Sequence, residues 1–214
     1  RQPRVLSVAR EIDIAIFDKT GTLTDGAMQV RDVLIPISAQ KVLGSSFEGL
    51  LTEENVLSLA LTLESENDHP VARAIADYAT ARGAQKLALS DFTMTPGAGV
   101  AARISGFGKT MVVIIGSPDS VGHSTTALDP LLTDAISRAS ASSQTVSLLA
   151  VDGVAIALFA TGDVVKVDAR QTIADLDKRG ITSWLVTGDH RETAELIASQ
   201  VGIASDRIIA AASP

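Results

Sequence analysis

The order of strand-like and helix-like segments is the feature that most constrains the fold of this chain. The apolar run at residues 12–17 predicts a buried strand of a parallel sheet, which ends at Asp18. Gly21 and Gly26 indicate that a loop follows. The C-terminal quarter alternates between strand patterns at 155–159, 181–186 and 207–210 and helical patterns at 166–179 and 191–201, which end at Gly180 and Gly202. Strands that alternate with helices are typical of a parallel α/β sheet.

The middle of the chain has a different pattern. Helices are predicted from the N-cap Thr52 to residue 63 and from Pro70 to the residues before Gly83. Two antiparallel hairpins follow, with strands at 100–104 and 110–115 around the turn 105–109, and strands at 145–151 and 154–159 around Asp152-Gly153. We therefore predict an α/β domain, in segments 1–28 and 161–214, that is split by an inserted α+β domain at 29–160 with an antiparallel sheet.

Composition excludes several classes of function. The 18 basic and 25 acidic side chains give a net charge of −7, and no Lys/Arg cluster indicates nucleic-acid binding. The absence of cysteine excludes disulfides, a cysteine-based zinc site and a thiol nucleophile. No apolar stretch approaches the ~20 residues of a membrane helix, so we expect a soluble chain with no membrane segment.

The segment Asp18-Lys19-Thr20-Gly21-Thr22-Leu23-Thr24 carries the strongest chemical signal. Open α/β sheets place reactive groups at the carboxyl ends of their strands, where Asp18 is predicted to lie. An aspartate there can attack a phosphoryl group and form an acyl phosphate. Lys19 adds positive charge, and the Thr20 hydroxyl and backbone can contact phosphate or metal. The alternative is an ordinary aspartate at a strand-to-loop junction.

A second signal, Thr187-Gly188-Asp189, follows a predicted strand and precedes a predicted helix. A hydroxyl, a flexible glycine and the N–H groups of a helix start can together bind phosphate. Taken alone, the three residues fit a plain helix N-cap better than a phosphate site.

Two further signals lie in the insert. Glu64 is followed by Asp68-His69-Pro70 at a helix start, although a single histidine there is more often a capping or surface residue. Gly97 and Gly99 form a G-x-G turn, and Gly116 follows a strand. The segment 106–110 is not a P-loop, because the first glycine of that motif would fall at Arg103.

These motifs together resemble those of one family. Residues 18–24 match the DKTGTLT signature of P-type ATPases, a branch of the haloacid-dehalogenase-like superfamily, and residues 187–189 are similar to its TGD motif. Asp163 and Lys166 resemble the family's aspartate and basic residue after the insert. Thr20 stands where related phosphatases carry an acid/base aspartate, which implies a slowly hydrolysed aspartyl phosphate on Asp18.

The insert resembles the nucleotide-binding domain of the heavy-metal-transporting branch. The spacing of Glu64 to His69-Pro70 is similar to that branch's motif, in which the histidine contacts adenine and the glutamate supports it. Asp68 stands where that branch usually has glutamate. Gly97, Gly99 and Gly116 resemble its glycines, and polar Ser117 follows the last of them, as is common in the family.

The resemblance covers residues 8–214 and implies a Rossmann-like phosphorylation domain (1–28 and an incomplete 161–214) split by a nucleotide-binding domain (29–160). It implies ATP and Mg²⁺ as cofactors, with Asp18 and the Thr20 carbonyl as metal ligands, and catalytic roles for Asp18, Lys19, Thr20, Thr187, Gly188 and Asp189. Nucleotide binding is assigned to Glu64, Asp68, His69, Pro70, Gly97, Gly99 and Gly116.

The family continues beyond this point with a catalytic lysine and a G-D-G-x-N-D segment. We therefore expect the chain to be part of a longer membrane pump, with transmembrane and actuator domains as partners and a location on the cytoplasmic side. Alone, it is expected to bind ATP weakly and to have little or no activity. The alternatives are a stand-alone phosphatase or phosphotransferase and a nucleotide-binding module without chemistry. The transported metal is not predicted.

Overall fold

The computed structural model describes residues 12–44, 49, 51–126, 128–142, 144–189 and 191–212. The chain divides into two compact units, one built from Arg1–Ala27 and Asp163–Pro214 and the other from Met28–Gly162. Residues 1–11 and 213–214 of the predicted outer segments lie outside the described residues. Among the helices that the structure describes, none is both long and apolar enough to cross a bilayer.

The first unit is a parallel α/β layer, as the alternating pattern predicts. Its sheet has the order β1-β8-β9, and both strand pairs are parallel. The elements are β1 (Ile14–Asp18), α6 (Ala169–Asp177), β8 (Thr182–Val186), α7 (Arg191–Val201) and β9 (Ile208–Ile209). Helix α6 is shorter than predicted, and Gly202, with φ of +90°, directly follows α7.

One face of this sheet packs on the helices. Leu185 of β8 is fully buried against α6 and α7, in a cluster with Ile173 and Val201. The prediction that strand 12–17 is buried is wrong for its other face, because Ile14 and Ile16 are 55% and 67% exposed. No described helix covers that face, whereas a parallel sheet of this kind usually has helices on both.

The second unit is a six-stranded sheet in the order β2-β7-β6-β5-β4-β3, whose pairings from β3 to β7 are antiparallel. Its strands are β2 (Thr24–Leu34), β3 (Ala88–Thr95), β4 (Gly99–Gly106), β5 (Lys109–Gly116), β6 (Thr145–Val151) and β7 (Val154–Val165). Its helices are α1 (Ala39–Leu43), α2 (Glu53–Glu64), α3 (Pro70–Ala81), α4 (Pro118–Ser124) and α5 (Pro130–Ala141). The start of α2 is as predicted, since Thr52 Oγ1 accepts the Asn55 N–H at 3.2 Å.

Both faces of this sheet carry helices, which explains the nearly continuous apolar runs of β6 and β7. Leu149 and Val151 face the cluster that contains α2 and α3, whereas Leu148 and Ala150 face the cluster that contains α4 and α5. A strand that is covered on both sides needs apolar residues at every position, so it loses the alternation expected of an antiparallel strand.

Two local predictions need correction. The loop expected after Asp18 includes Thr24 and Gly26, but both lie in β2. The turn predicted at 105–109 is tighter, because the pair Gly106 and Lys109 extends the β4–β5 ladder to a two-residue turn. The turn residues Phe107 and Gly108 have φ of +55° and +78°, the backbone that a short hairpin requires. Strand β3 and the short helices α1 and α4 were not predicted.

Candidate functional site

Asp18 is the last residue of β1 and lies at the carboxyl end of the sheet. The parallel register pairs it with Val186, so the Thr187–Asp189 segment begins at the same edge, one residue beyond its strand neighbour. Asp18 is exposed, and its carboxylate has no hydrogen bond to any described residue. This is the position at which open α/β sheets bind their ligands.

The loop that follows Asp18 is held by the start of the C-terminal segment. Asp163 accepts hydrogen bonds from Thr24 Oγ1 at 2.5 Å, from the Gly26 N–H at 3.1 Å and from its neighbour's N–H, that of Val164, at 2.9 Å. Lys166 Nζ donates to the Gly21 carbonyl at 2.8 Å. Thr24 is fully buried, and its hydroxyl accepts the Gly21 N–H at 3.3 Å. Asp163 and Lys166 therefore position the loop.

The Thr187–Asp189 turn is joined to the same loop by an ion pair between Lys19 and Asp189. Thr187 is buried, and its Oγ1 accepts the Asp189 N–H at 3.2 Å. The Gly188 N–H has no acceptor among the described residues, so it is available to an oxyanion. The turn therefore offers fewer free N–H groups than the sequence predicts, because the Asp189 N–H donates to Thr187 Oγ1.

The predicted metal ligands in this region are oxygen donors. No group of three His, Cys, Asp or Glu side chains among the described residues could hold a metal ion. The exposed Asp18 carboxylate and the Thr20 carbonyl are nevertheless the hard donors that Mg²⁺ prefers, and Mg²⁺ usually keeps several waters and binds few protein groups. The pair therefore fits this ion, with water and phosphate oxygens as its other ligands.

The second unit contains a cavity of about 210 Å³ that brings together five of the predicted nucleotide-binding residues. These are Glu64, His69, Gly97, Gly99 and Gly116. Two other predicted residues do not line it. Asp68 points to solvent, with its carboxylate 3.6 Å from the Arg73 guanidinium, and Pro70 is the first residue of α3. The volume is below the roughly 300–1,000 Å³ of sites for complete drug-sized ligands, so it suits part of a nucleotide.

His69 is the N-cap of α3 and also part of the cavity wall. Its Nδ1 accepts the Val71 N–H at 3.3 Å, and its own N–H donates to Asn67 Oδ1 at 3.1 Å. Because Nδ1 is an acceptor here, the hydrogen bond selects the tautomer with the proton on Nε2. His69 therefore caps α3 and lines the cavity at the same time, so the two predicted roles are compatible.

Glu64 is the last residue of α2 and is only 5% exposed. Burial raises the pKa of its carboxyl to about 7, and this effect outweighs the opposing hydrogen bond from Asn67. Asn67 Nδ2 donates to Glu64 Oε2 at 3.0 Å. Near neutral pH the carboxyl can thus be present as the acid, which can donate a hydrogen bond to a ligand.

Gly99 and Gly116 are neighbours on β4 and β5, and their backbones approach too closely for side chains. A Cβ on Gly99 would overlap the Ile115 carbonyl oxygen and lie 2.5 Å from the Gly116 Cα. A Cβ on Gly116 would overlap the Ala98 carbonyl oxygen. That carbonyl accepts the Ser117 N–H at 2.8 Å, which closes this corner of the cavity. Gly97 is different, because only its φ of +75° requires glycine.

Some cavity residues were not predicted. Asn67 lies inside the motif that carries Glu64 and His69, so its position between them was an available signal. Residues 145–147 of β6 also line the cavity, next to Gly116, which pairs with Leu148. Only the order of strands in the sheet brings β6 to this place, and no local pattern indicates it.

Comparison with known proteins places the chain in a family. A family model described as haloacid dehalogenase-like hydrolase matches residues 12–213, and the chain belongs to this family. It is 36% identical over 205 residues to a copper-exporting P-type ATPase of Mycobacterium tuberculosis, covering 96% of this chain and 24% of that protein. It is 34% identical over 205 residues to a chloroplastic copper-transporting ATPase of Arabidopsis thaliana, and the match covers 95% of this chain and 20% of that protein.

Solved structures agree on the fold. A zinc-transporting PIB-type ATPase in an E2.Pi state matches with a TM-score of 0.75 at 24% identity, covering 94% of this chain and 29% of that one. The catalytic domain of the CPx-ATPase CopB-B matches with a TM-score of 0.63 at 21% identity, and the match covers 100% of this chain and 68% of that one. The predicted superfamily and fold class are confirmed, and the chain spans about a quarter of the length of the curated relatives.

The backbone contact at Gly116 predicts a large difference between two glycine substitutions. Gly116→Ala should lower the free energy of unfolding by about 1–3 kcal/mol, because the added methyl group overlaps backbone that must shift. Gly122→Ala is the matched control, since nothing lies within 4 Å of its new Cβ and alanine favours helix α4. Urea denaturation of both variants measures the effect. Equal stability of the two would contradict the close approach.

The buried carboxyl of Glu64 predicts a pH dependence of stability. Its pKa is higher in the folded chain, so the free energy of unfolding should fall as pH rises from 4.5 to about 7 and then level off. Glu64→Gln should remove this contribution. The free energy of unfolding of the variant should therefore rise relative to that of wild type by about 3 kcal/mol from pH 4.5 to pH 8.

Denaturant unfolding at several pH values measures this gain. Glu66→Gln, at an exposed neighbouring carboxyl, is the control and should keep the wild-type pH profile. Parallel profiles for wild type and Glu64→Gln would show that the carboxyl is not desolvated.

Proposed function

We propose that this chain is the ATP-binding and phosphorylation unit of a heavy-metal-transporting P-type ATPase, which hydrolyses ATP through an aspartyl phosphate on Asp18. One observation carries the proposal: an exposed aspartate at the carboxyl end of a parallel strand shares a chain with a cavity that unites Glu64, His69 and three glycines. The names of the curated relatives, copper-exporting and copper-transporting ATPases, support it.

The proposal assigns a role to each part of the chain. Segments 1–28 and 161–214 form the phosphorylation domain, and 29–160 forms the nucleotide-binding domain. The adenine base occupies the cavity against His69, and the Glu64 carboxyl supports the polar edge of the base. The small volume of the cavity supports this assignment, since the ribose and phosphates of a nucleotide would extend from it.

The phosphoryl transfer follows from the chemistry of Asp18. A carboxylate oxygen of Asp18 attacks the γ-phosphorus, the bond from that phosphorus to the bridging oxygen breaks, and ADP leaves with the electron pair. Lys19 and the Gly188 N–H offset charge on the transferring group, and Thr187 orders the turn that presents this N–H. Asp189 holds Lys19 beside the turn through their ion pair.

Mg²⁺ would be held by Asp18 and the Thr20 carbonyl, and when bound it supplies positive charge to the phosphate oxygens. Water then hydrolyses the aspartyl phosphate. Because residue 20 is threonine, no carboxylate stands at that position to act as general base, and the hydrolysis is slow. A long-lived phosphoenzyme suits a pump, which must change conformation before dephosphorylation.

In the whole pump, formation and hydrolysis of this intermediate drive metal across the membrane. The transmembrane and actuator domains are the partners of this unit, which lies on the cytoplasmic side. The rival function is a stand-alone phosphatase of the same family. It would turn over small phosphate esters rapidly and would not accumulate a phosphoenzyme.

The adenine assignment predicts the effect of removing the imidazole. His69→Asn keeps a side-chain oxygen that can cap α3, whereas His69→Ala removes both the cap and the ring. Both should weaken ATP binding by about tenfold or more, since one or two kcal/mol of contact is lost. Only His69→Ala should also lose about 1 kcal/mol of stability.

Calorimetry with ATP measures the affinities, and thermal unfolding measures the stabilities. His123→Ala is the control, because His123 is an exposed histidine on α4 outside the cavity. Unchanged ATP affinity in His69→Asn would refute the contact with the base.

The phosphorylation assignment predicts a covalent product on one residue. In the whole pump, incubation with ATP or acetyl phosphate and Mg²⁺, followed by acid quenching, should give a peptide with a phosphate on Asp18 that is stable in acid and labile in base. Asp18→Asn should abolish it, and the control Asp13→Asn should retain it. Mass spectrometry locates the phosphate. Its absence from wild type with both donors, or its persistence in Asp18→Asn, would contradict the proposal.

A further inference from the structure

A second cavity lies in the α/β unit, on the side of the sheet that packs on α6 and α7. Its volume is about 240 Å³. The residues that matter for its chemistry are Arg170, Ile173, Asp177, Ser183, Val201 and Arg207. None of them belongs to the phosphorylation motifs or to the nucleotide cavity.

The cavity is distant from Asp18 along the strands. Ser183 of β8 pairs with Ala15, three residues before the pair of Asp18 with Val186. Three residues of strand correspond to about 10 Å. The cavity therefore lies toward the amino ends of the strands, whereas Asp18 and Thr187 lie at their carboxyl ends.

Ser183 is the first sign that this cavity binds a ligand. It is 5% exposed, and its Oγ is the one buried side-chain oxygen or nitrogen among the described residues that has no hydrogen-bond partner. A buried hydroxyl without a partner is costly, and native structures normally satisfy it. A ligand or a water in the adjoining cavity would do so.

The charged residues are the second, independent sign. Arg170 and Arg207 both line the cavity, and neither guanidinium has an ion pair or hydrogen bond within the described part of the chain. Two other charged pairs lie in this region, Lys178 with Asp175 and Arg191 with Glu195. Asp177 is the only acidic residue of the wall, so two positive charges face one negative charge.

We propose that this cavity binds a small organic anion. Its phosphate or carboxylate group lies between Arg170 and Arg207, whose planar guanidinium groups suit such oxyanions. A short apolar part packs on Ile173 and Val201, and an oxygen of the head group accepts a hydrogen bond from the Ser183 hydroxyl. Asp177 offsets one of the two positive charges, so the wall favours a singly charged head group. A free metabolite and a phospholipid head group share this chemistry.

Titration of the ¹⁵N-labelled chain with methyl phosphate and with isobutyrate tests the site. We expect saturable shifts of the Ser183, Gly202 and Ile203 amides. In the double variant Arg170→Gln/Arg207→Gln these shifts should require at least tenfold more ligand, because the head group loses its charge partners. Lys178→Gln, at an exposed lysine of the same segment outside the cavity, is the control and should behave as wild type.

Ser183→Ala separates binding from folding, because it removes a hydroxyl that has no partner in the protein. It should fold at least as stably as wild type and bind isobutyrate several-fold more weakly. Phosphate that binds near Gly188 and Asp189 would shift those amides instead, and equally in the double variant. Shifts confined to those amides, or equal affinity in the double variant and in Lys178→Gln, would overturn the proposal.

The source of the anion is distinguished by a vesicle experiment. Co-sedimentation with phosphatidylcholine vesicles that contain phosphatidic acid, lost in the double variant, would identify a lipid head group. Binding of methyl phosphate or isobutyrate without co-sedimentation would identify a free anion. The absence of both would refute the site.

Discussion

The attachment of the Asp18 loop to Asp163 and Lys166 is the constraint on which the first unit depends. These contacts join residues 139 and 145 positions apart in the sequence, so they complete a domain that is interrupted by the whole insert. A carboxylate that accepts a hydroxyl and two backbone N–H groups is a strong, directional anchor. It fixes the loop conformation, and the fixed loop determines where the Asp18 carboxylate and the Lys19 ammonium lie.

The elements that the sequence predicted well are those with strong local signals. Helix α7 was located by its period and by Gly202, and the β6–β7 hairpin by Asp152-Gly153. Strand β2 was not predicted, because a glycine such as Gly26 is typical of a turn. In the structure its φ of +71° is accommodated within the strand. Exposure was misjudged at Ile14 and Ile16, since an apolar run indicates a buried strand but does not show which faces other elements cover.

The cavity that we propose binds the nucleotide shows which part of a site can be predicted from motifs. Glu64 and His69 are close in sequence, and the helix ends on either side bring them to one wall. Gly99 was expected as part of a turn with Gly97, but its stronger physical role is the close backbone contact with Gly116 between β4 and β5, which depends on strand register. The contribution of strand β6 to the cavity wall could not be predicted, because its place beside Gly116 follows from the order of all six strands.

Burial also gives the carboxylates of this chain different chemistry. Glu64 is enclosed by the end of α2 and the cavity wall, which raises its pKa to about 7 and lets the neutral acid donate a hydrogen bond. The Asp163 carboxylate accepts hydrogen bonds that hold the loop after Asp18. Asp18 is exposed and accepts nothing from the described residues, so it can approach an incoming phosphorus without first breaking a protein contact. In the proposed function Asp18 is the nucleophile, which must be placed accurately and also left free, and the anchored loop beside an uncommitted side chain satisfies both requirements.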